Sequence, residues 1–238
     1  MRVVLHAHST WSYDGRWALP RIARAYGALG VDAVMMTEHD TGFAPDRFAE
    51  YRAACAAAST RRCTLIPGIE YSSPDNRIHI LTWGLSRFLT EHAPVSETLS
   101  AVQEAGGAAI FAHPVRRDAW AAFDPAWVPH LNGIELWNRK SDGIAPGREA
   151  ARLIAETGLP ATVGQDFHRL RHMYPLTMKL DRPTGDLEAG LVAALRAGRM
   201  RPEAFRRPLL DGDTLRPGPH DWLERRRVAL RDLVRGKR

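Results

Sequence analysis

Seven short apolar runs recur along the chain, at 3–6, 33–37, 64–70, 78–83, 108–113, 133–136 and 161–166. They read as strands buried on both faces, because polar alternation is missing within them. Between several of them, 17–29, 45–58, 96–105 and 146–157 read as helices, and 186–199 follows the last strand as another. Gly30 and Gly158 stand where a helix hands over to a strand and a left-handed residue is wanted. Alternation of this kind implies parallel strands with helices packed outside them. An open doubly wound sheet and a closed barrel both satisfy it, and periodicity does not choose between them.

Every one of these runs carries a residue able to bind a metal. His6 closes the first, with His8 two residues on in HAHS, where the two-residue strand period points both imidazoles the same way. His39 and Asp40 follow the second, Glu70 ends the third, His79 lies in the fourth and His113 ends the fifth. Glu135 lies in the sixth, and Asp166 with His168 ends the seventh. Parallel strands present their C-terminal ends on one side of the molecule, where active sites are built. Asp14, in SYDG, sits at a turn that reaches back over that side. A mixed imidazole and carboxylate set without a cysteine cluster suits Zn2+, Mn2+ or Fe2+. One ion takes only about 4 to 6 protein ligands, so the length of the list implies two or three divalent ions.

Composition removes other classes. Hydrophobic residues at 45% and charged residues at 25% fit a folded chain, and 238 residues fit one domain, with no linker between motifs long enough for a second. No apolar run approaches the ~20 residues that span a bilayer, and no secretory leader is evident, so a cytoplasmic protein without membrane partners is expected. Cys55 and Cys63 read as free thiols. The formal charge is +6, and residues 1–198 hold 21 Lys and Arg against 21 Asp and Glu, whereas 199–238 hold 12 against 6. The excess therefore belongs to the C-terminal segment. There 201–218, rich in Pro, Gly and Arg, reads as irregular, and 221–235 reads as a helix with Trp222, Leu223, Leu230, Leu233 and Val234 on one stripe.

The motifs HAHS, DG at Asp14, TEHD, PGIEY, AHP and DFH occur in the order seen in the PHP (polymerase and histidinol phosphatase) superfamily, which the chain resembles from Val3 to about Arg199. That resemblance implies a distorted seven-stranded (β/α)7 barrel over residues 1–200 with a trinuclear metal centre, residues 201–238 packing on it as a basic segment. It implies that His6, His8, Glu70 and Asp166 hold one ion, that Glu70 bridges to a second held by His79 and His113, and that Asp14, His39 and His168 hold the third. Some members have histidine at the position of Asp14, and Glu38 stands where many have aspartate. An amidohydrolase barrel also opens on a paired histidine motif, but it wants a lysine between its metals, and this chain offers Glu70.

The expected activity is metal-dependent hydrolysis of a small phosphorylated metabolite, such as histidinol phosphate or a nucleotide, by a metal-activated hydroxide. Asp40 and Arg116 are the candidate catalytic side chains beyond the ligands, Asp40 as an acid/base or supporting group. Arg116, Arg117 and Arg139 are the candidate phosphate-binding residues, and Lys140, Arg169 and Arg171 share the same loops. Glu135 is expected to orient a ligand histidine. His92, His130, His172 and His220 read as surface or packing residues. Two alternatives stay open: a nuclease or phosphodiesterase that meets nucleic-acid ends through the basic C-terminal segment, and a non-catalytic metal-binding module.

Overall fold

The computed structural model describes residues 1–212 and 214–235, with residues 228 and 230–235 described by their backbone alone. Its strands are β1 (Arg2–Ala7), β2 (Ala33–Met36), β3 (Glu38–His39), β4 (Thr64–Ile66), β5 (Gly68–Ser72) and β6 (His79–Trp83). Beyond them come β7 (Ala108–Phe111), β8 (Ile134–Asn138), β9 (Ala161–Phe167), β10 (Leu176–Lys179), β11 (Arg201–Ala204) and β12 (Arg207–Pro208). The helices are α1 (Leu19–Ala28), α2 (Phe48–Ala58), α3 (Val95–Glu104), α4 (Arg148–Thr157), α5 (Leu187–Arg196) and α6 (Pro219–Arg235). α1 shows why these segments coil: Leu19, Ile22, Ala23 and Tyr26 are its buried face at helical spacing, and Pro20 stands in the first turn, where no donor is lost.

β1 lies parallel between β2 and β9, and the pairs β2–β4, β3–β5, β7–β8 and β8–β9 are parallel too. Thr37 alone separates β2 from β3, and Pro67, which has no N–H to give a ladder, separates β4 from β5. The pairings can be followed from β1 through β2 and β4 on one side, and through β9, β8, β7, β6, β5 and β3 on the other, so that the two ends of the path meet at the interrupted strands. One buried cluster gathers Val3, Leu5, Met35, Ile66, Leu81, Trp83, Ile110 and Val163, with α5 residues such as Leu191 and Leu195. A second cluster packs the opposite strand faces, including Val4, Val34, Leu65 and Ile80, against α1, α2 and α3.

Three expectations are corrected here. The strands are not all parallel, because β6 runs antiparallel to both β5 and β7. Arg201–Ala204 is not irregular: it is β11, paired antiparallel with β10, which in turn pairs antiparallel with β1. Its sequence, Arg-Pro-Glu-Ala, carries no apolar alternation, and its place is secured by backbone pairing and by the buried Glu203, whose carboxylate accepts from Arg2 Nε at 2.8 Å. The terminal helix begins at Pro219, and Trp222 on its expected apolar stripe is half exposed under the Arg226 guanidinium, while the side chains of Leu230, Leu233 and Val234 lie outside those described. Both cysteines are free and buried. Among the described residues no helix is long and apolar enough to cross a membrane.

Candidate metal centre

Glu70, buried on β5, is the hub. Its Oε2 lies 3.4 Å from His6 Nε2, 3.3 Å from His8 Nε2 and 3.1 Å from His39 Nδ1. Asp166 Oδ1 lies against the same two imidazoles, 3.6 Å from His6 Nε2 and 3.5 Å from His8 Nε2, and with them forms one candidate metal-holding group. Two donors that share one cation at 2.0–2.2 Å in tetrahedral or octahedral geometry stand about 3.0–3.6 Å apart. His6 Nε2, His8 Nε2 and Glu70 Oε2 are buried and have no hydrogen-bond partner, so the atoms that face one another here fit a divalent cation and are otherwise unsatisfied. On the other side Glu70 Oε1 meets His79 Nδ1 at 2.6 Å and His113 Nε2 at 2.8 Å. Asp14 bridges His39 Nε2 at 3.4 Å and His168 Nε2 at 2.9 Å, and the rings of His39 and His168 flank that of His8.

Local backbone irregularity aims these side chains. Val3 and Leu5 belong to one core cluster and Val4 to the other, so a regular β1 would send His6 and His8 to the helix-covered side. Instead His6 adopts φ 64°, the register with both neighbours slips between Leu5 and Ala7, and Ala7 joins the cluster of Val4. β9 does the same beside it: two residues lie between Gly164 and Phe167 where β1 has one between their partners, and Asp166 sits at φ 48°. His113 is also left-handed, at φ 28°. Such conformations cost on the order of 1–3 kcal/mol each in a non-glycine residue and persist where the surroundings enforce them.

The surroundings are visible. Glu135 Oε1 lies 2.9 Å from His6 Nδ1, while its Oε2 accepts from His113 N at 2.8 Å and Asn138 Nδ2 at 2.9 Å. A Cβ on Gly164 would stand 1.7 Å from Glu135 Oε1, so only glycine leaves that carboxylate its place. Glu38, fully buried, accepts from Ser9 N, Ser9 Oγ and Ser12 Oγ, and Ser12 Oγ accepts from His39 N at 3.0 Å. This holds the loop after β1 against β3.

The buried carboxylates and imidazoles of the cluster set one another's charge. Burial presses the pKa of Glu70 upward, but His79 and His6 hold it well below the usual carboxylate range. Asp166 is likewise pressed up by burial and held well below by His6 and His8. Burial opposes a proton on His39, yet Asp14 and Glu70 override it and raise this imidazole to about 10. His6 is raised for the same reason, burial being overcome by Glu135, Asp166 and Glu70, whereas burial and the charges of His39 and His168 push His8 well down. Ionised carboxylates buried at this density require positive charge beside them.

No family model matches this sequence, and no curated protein matches it either. Solved structures do. A two-domain protein from Bacteroides vulgatus, described as containing a PHP-like metal-dependent phosphoesterase, superposes with a TM-score of 0.62 at 20% identity over 86% of this chain. The match takes in 64% of that protein's length. PsfC from Pseudomonas syringae gives a TM-score of 0.60 at 15% identity, over 83% of this chain and 93% of PsfC. An amidohydrolase from Chromobacterium violaceum, solved with bound sulfate and no metal, gives 0.53 at 17% identity over 71% and 88%. The chain shares the fold of these structures.

On this fold the nine residues expected as ligands, His6, His8, Asp14, His39, Glu70, His79, His113, Asp166 and His168, all converge on one cluster. His79 arrives unconventionally: it is the first residue of β6, and it reaches the same side as the others because β6 runs backwards. Asp40 is not brought in. Its buried carboxylate accepts from Ser72 N, His92 N and Thr41 Oγ1, which ties the segment after β3 to β5 and to the loop at His92. Arg116 stands at the rim, with Nη1 3.1 Å from both His79 Nε2 and Asn76 O. Arg117 reaches only Asn76 O from the surface. Arg139 turns away, its guanidinium 4.9 Å from the ring of Tyr174, and Lys140 reaches the centre in its place, 3.2 Å from Asp166 Oδ1 and 3.3 Å from His168 Nε2. His172 proves structural, accepting from His168 N while burial and the charge of His168 hold it down at about 4. Sequence reasoning missed Glu38 with Ser9 and Ser12, Asn76, Asn138 and Tyr13. Only the serines flanking the histidine motif offered a signal.

Proposed function

We propose that this protein is a metal-dependent phosphoesterase that hydrolyses small phosphorylated metabolites. The observation that carries the reading is the convergence of His6 and His8 on the carboxylates of Glu70 and Asp166, with nitrogen–oxygen separations of 3.3–3.6 Å that suit shared cations. These four would hold the first ion; Glu70 with His79 and His113 would hold a second, and Asp14, His39 and His168 a third. Manganese, zinc and iron all suit this donor set. The reading counts the sheet as a distorted seven-stranded (β/α)7 barrel, β2 with β3 and β4 with β5 each taken as one interrupted strand.

When bound, such ions acidify a water to a pKa of about 7 and draw phosphoryl oxygens together. The chain's own side chains do the rest. Glu135 fixes the His6 ring through Nδ1, which leaves Nε2 directed at the ions. Arg116 beside His79 and Lys140 beside His168 place positive charge at two edges of the centre, where it offsets the charge of a phosphoryl group. Residues 1–198, which carry the whole metal-binding cluster, hold equal numbers of basic and acidic residues, which favours a small substrate over nucleic-acid ends.

Manganese- or zinc-loaded protein is expected to release phosphate from simple phosphomonoesters. His8→Ala and Asp166→Ala should each lower turnover by at least about 100-fold and reduce bound metal, read by elemental analysis, with the circular dichroism spectrum retained. Wild-type turnover at wild-type metal content in either variant would refute the assignment.

A further inference from the structure

Tyr13 is the most exposed of the large apolar side chains described, at 74% relative accessibility, yet it is not remote from the chemistry. Its ring lies nearly flat on that of His39, centroids 5.1 Å apart and planes 23° apart, and it immediately precedes Asp14. The phenol thus packs partly against a member of the cluster and leaves most of its surface to water.

The turn that carries it is fixed. Thr10 N donates to Trp17 O, Ser12 N to Ser9 O, Gly15 N to Ser12 O and Arg16 N to His168 O, all between 2.9 and 3.3 Å. A second exposed apolar side chain, Leu170 at 64%, follows His168 on the facing loop, and the 2.9 Å contact of Asp14 with His168 ties the two loops together. Tyr13 and Leu170 thus place two exposed apolar side chains on the loops joined at Asp14, with Lys140 Nζ beside them on His168 and Arg116 further along at His79. A flat apolar group stacks on an exposed, immobilised ring with little entropic cost to the protein.

We propose that Tyr13 is a specificity-determining residue: its outer face receives the alcohol portion of the ester, and the site selects phosphate esters whose alcohol carries a flat aromatic ring, such as a nucleobase or an aryl group. The proposal rests on the phosphoesterase reading and names its substrate class. The centre holds the phosphoryl group and the ring stacks on Tyr13, so Tyr13 contributes to binding the leaving group and to none of the bond making.

The test uses metal-loaded full-length protein and matched esters, adenosine 5'-phosphate against ribose 5-phosphate and benzyl phosphate against cyclohexylmethyl phosphate. Each pair shares its phosphate and differs in the flat ring. Wild type should favour the aromatic member. Tyr13→Leu should lower kcat/KM for that member by about 5- to 100-fold, mainly through KM, the range that stacking of one base supports. It should leave the non-aromatic member within about twofold and metal content unchanged, and Tyr13→Phe should keep the preference. An equal loss on both members, no loss on either, or a wild-type preference for the non-aromatic esters overturns the role of Tyr13 while leaving a phosphoesterase. A wild type that hydrolyses none of the four esters overturns both readings together.

Discussion

Asp142 shows how a single side chain near the centre sets a pH dependence of its own. Burial raises its carboxyl to about 7, with Glu135 and Glu149 adding to the rise against a hydrogen bond from Asn138 N. An unfolded aspartate ionises near 3.9. Between about pH 4 and pH 7 the folded chain therefore binds the extra proton, and stability falls as pH rises through that window. Asp142→Asn is expected to flatten the dependence, giving a Tm that changes less than wild type between pH 5 and pH 8 in parallel melts. Equal slopes for the two proteins would show that Asp142 carries no such linkage. Asp40 stands differently: it is a fully buried carboxylate next to His39 in sequence, and its hydrogen bonds run to backbone and hydroxyl donors of neighbouring segments.

Among the elements, β9 is the most constrained, since Gly164 makes room for Glu135 and Asp166 needs the extra residue beside β1. Gly164→Ala should cost roughly 1–3 kcal/mol through overpacking and, by moving Glu135, should also release His6; a melt and a metal titration on the same variant read both effects. Unchanged affinity with lowered Tm would separate the packing from the ligand geometry. This element also marks where sequence was readable. The apolar runs and the histidines and carboxylates near their ends are visible because burial and ligation both restrict residue type. The bulges at His6 and Asp166 leave no such trace, and strict alternation from Val3 and Leu5 places His6 and His8 on the wrong face. The reversal of β6 did leave one: His79 begins its run, whereas Glu70 and His113 end theirs. β11 was unreadable because Arg-Pro-Glu-Ala is held by its backbone and by one buried ion pair.

For the molecule as a whole, the antiparallel strands β10 and β11 on the flank of β1 mean that the chain does not divide cleanly near residue 200. A chain ending at Met200 would lose β11 and the buried Glu203–Arg2 pair and bare the edge of β10, where Leu176 and Met178 are buried. A loss of about 3 kcal/mol corresponds to a Tm drop of roughly 10 °C in a chain of this size. A chain ending at Pro217 keeps those pairings and should melt closer to wild type; equal melting of both truncations would contradict this view. The paired kinks in β1 and β9 have a consequence for anyone who would borrow this chemistry. Grafted onto a straight strand of some other scaffold, the short histidine motif would present its rings to the surrounding helices, so a transplant has to carry both distorted backbones together, as one indivisible part.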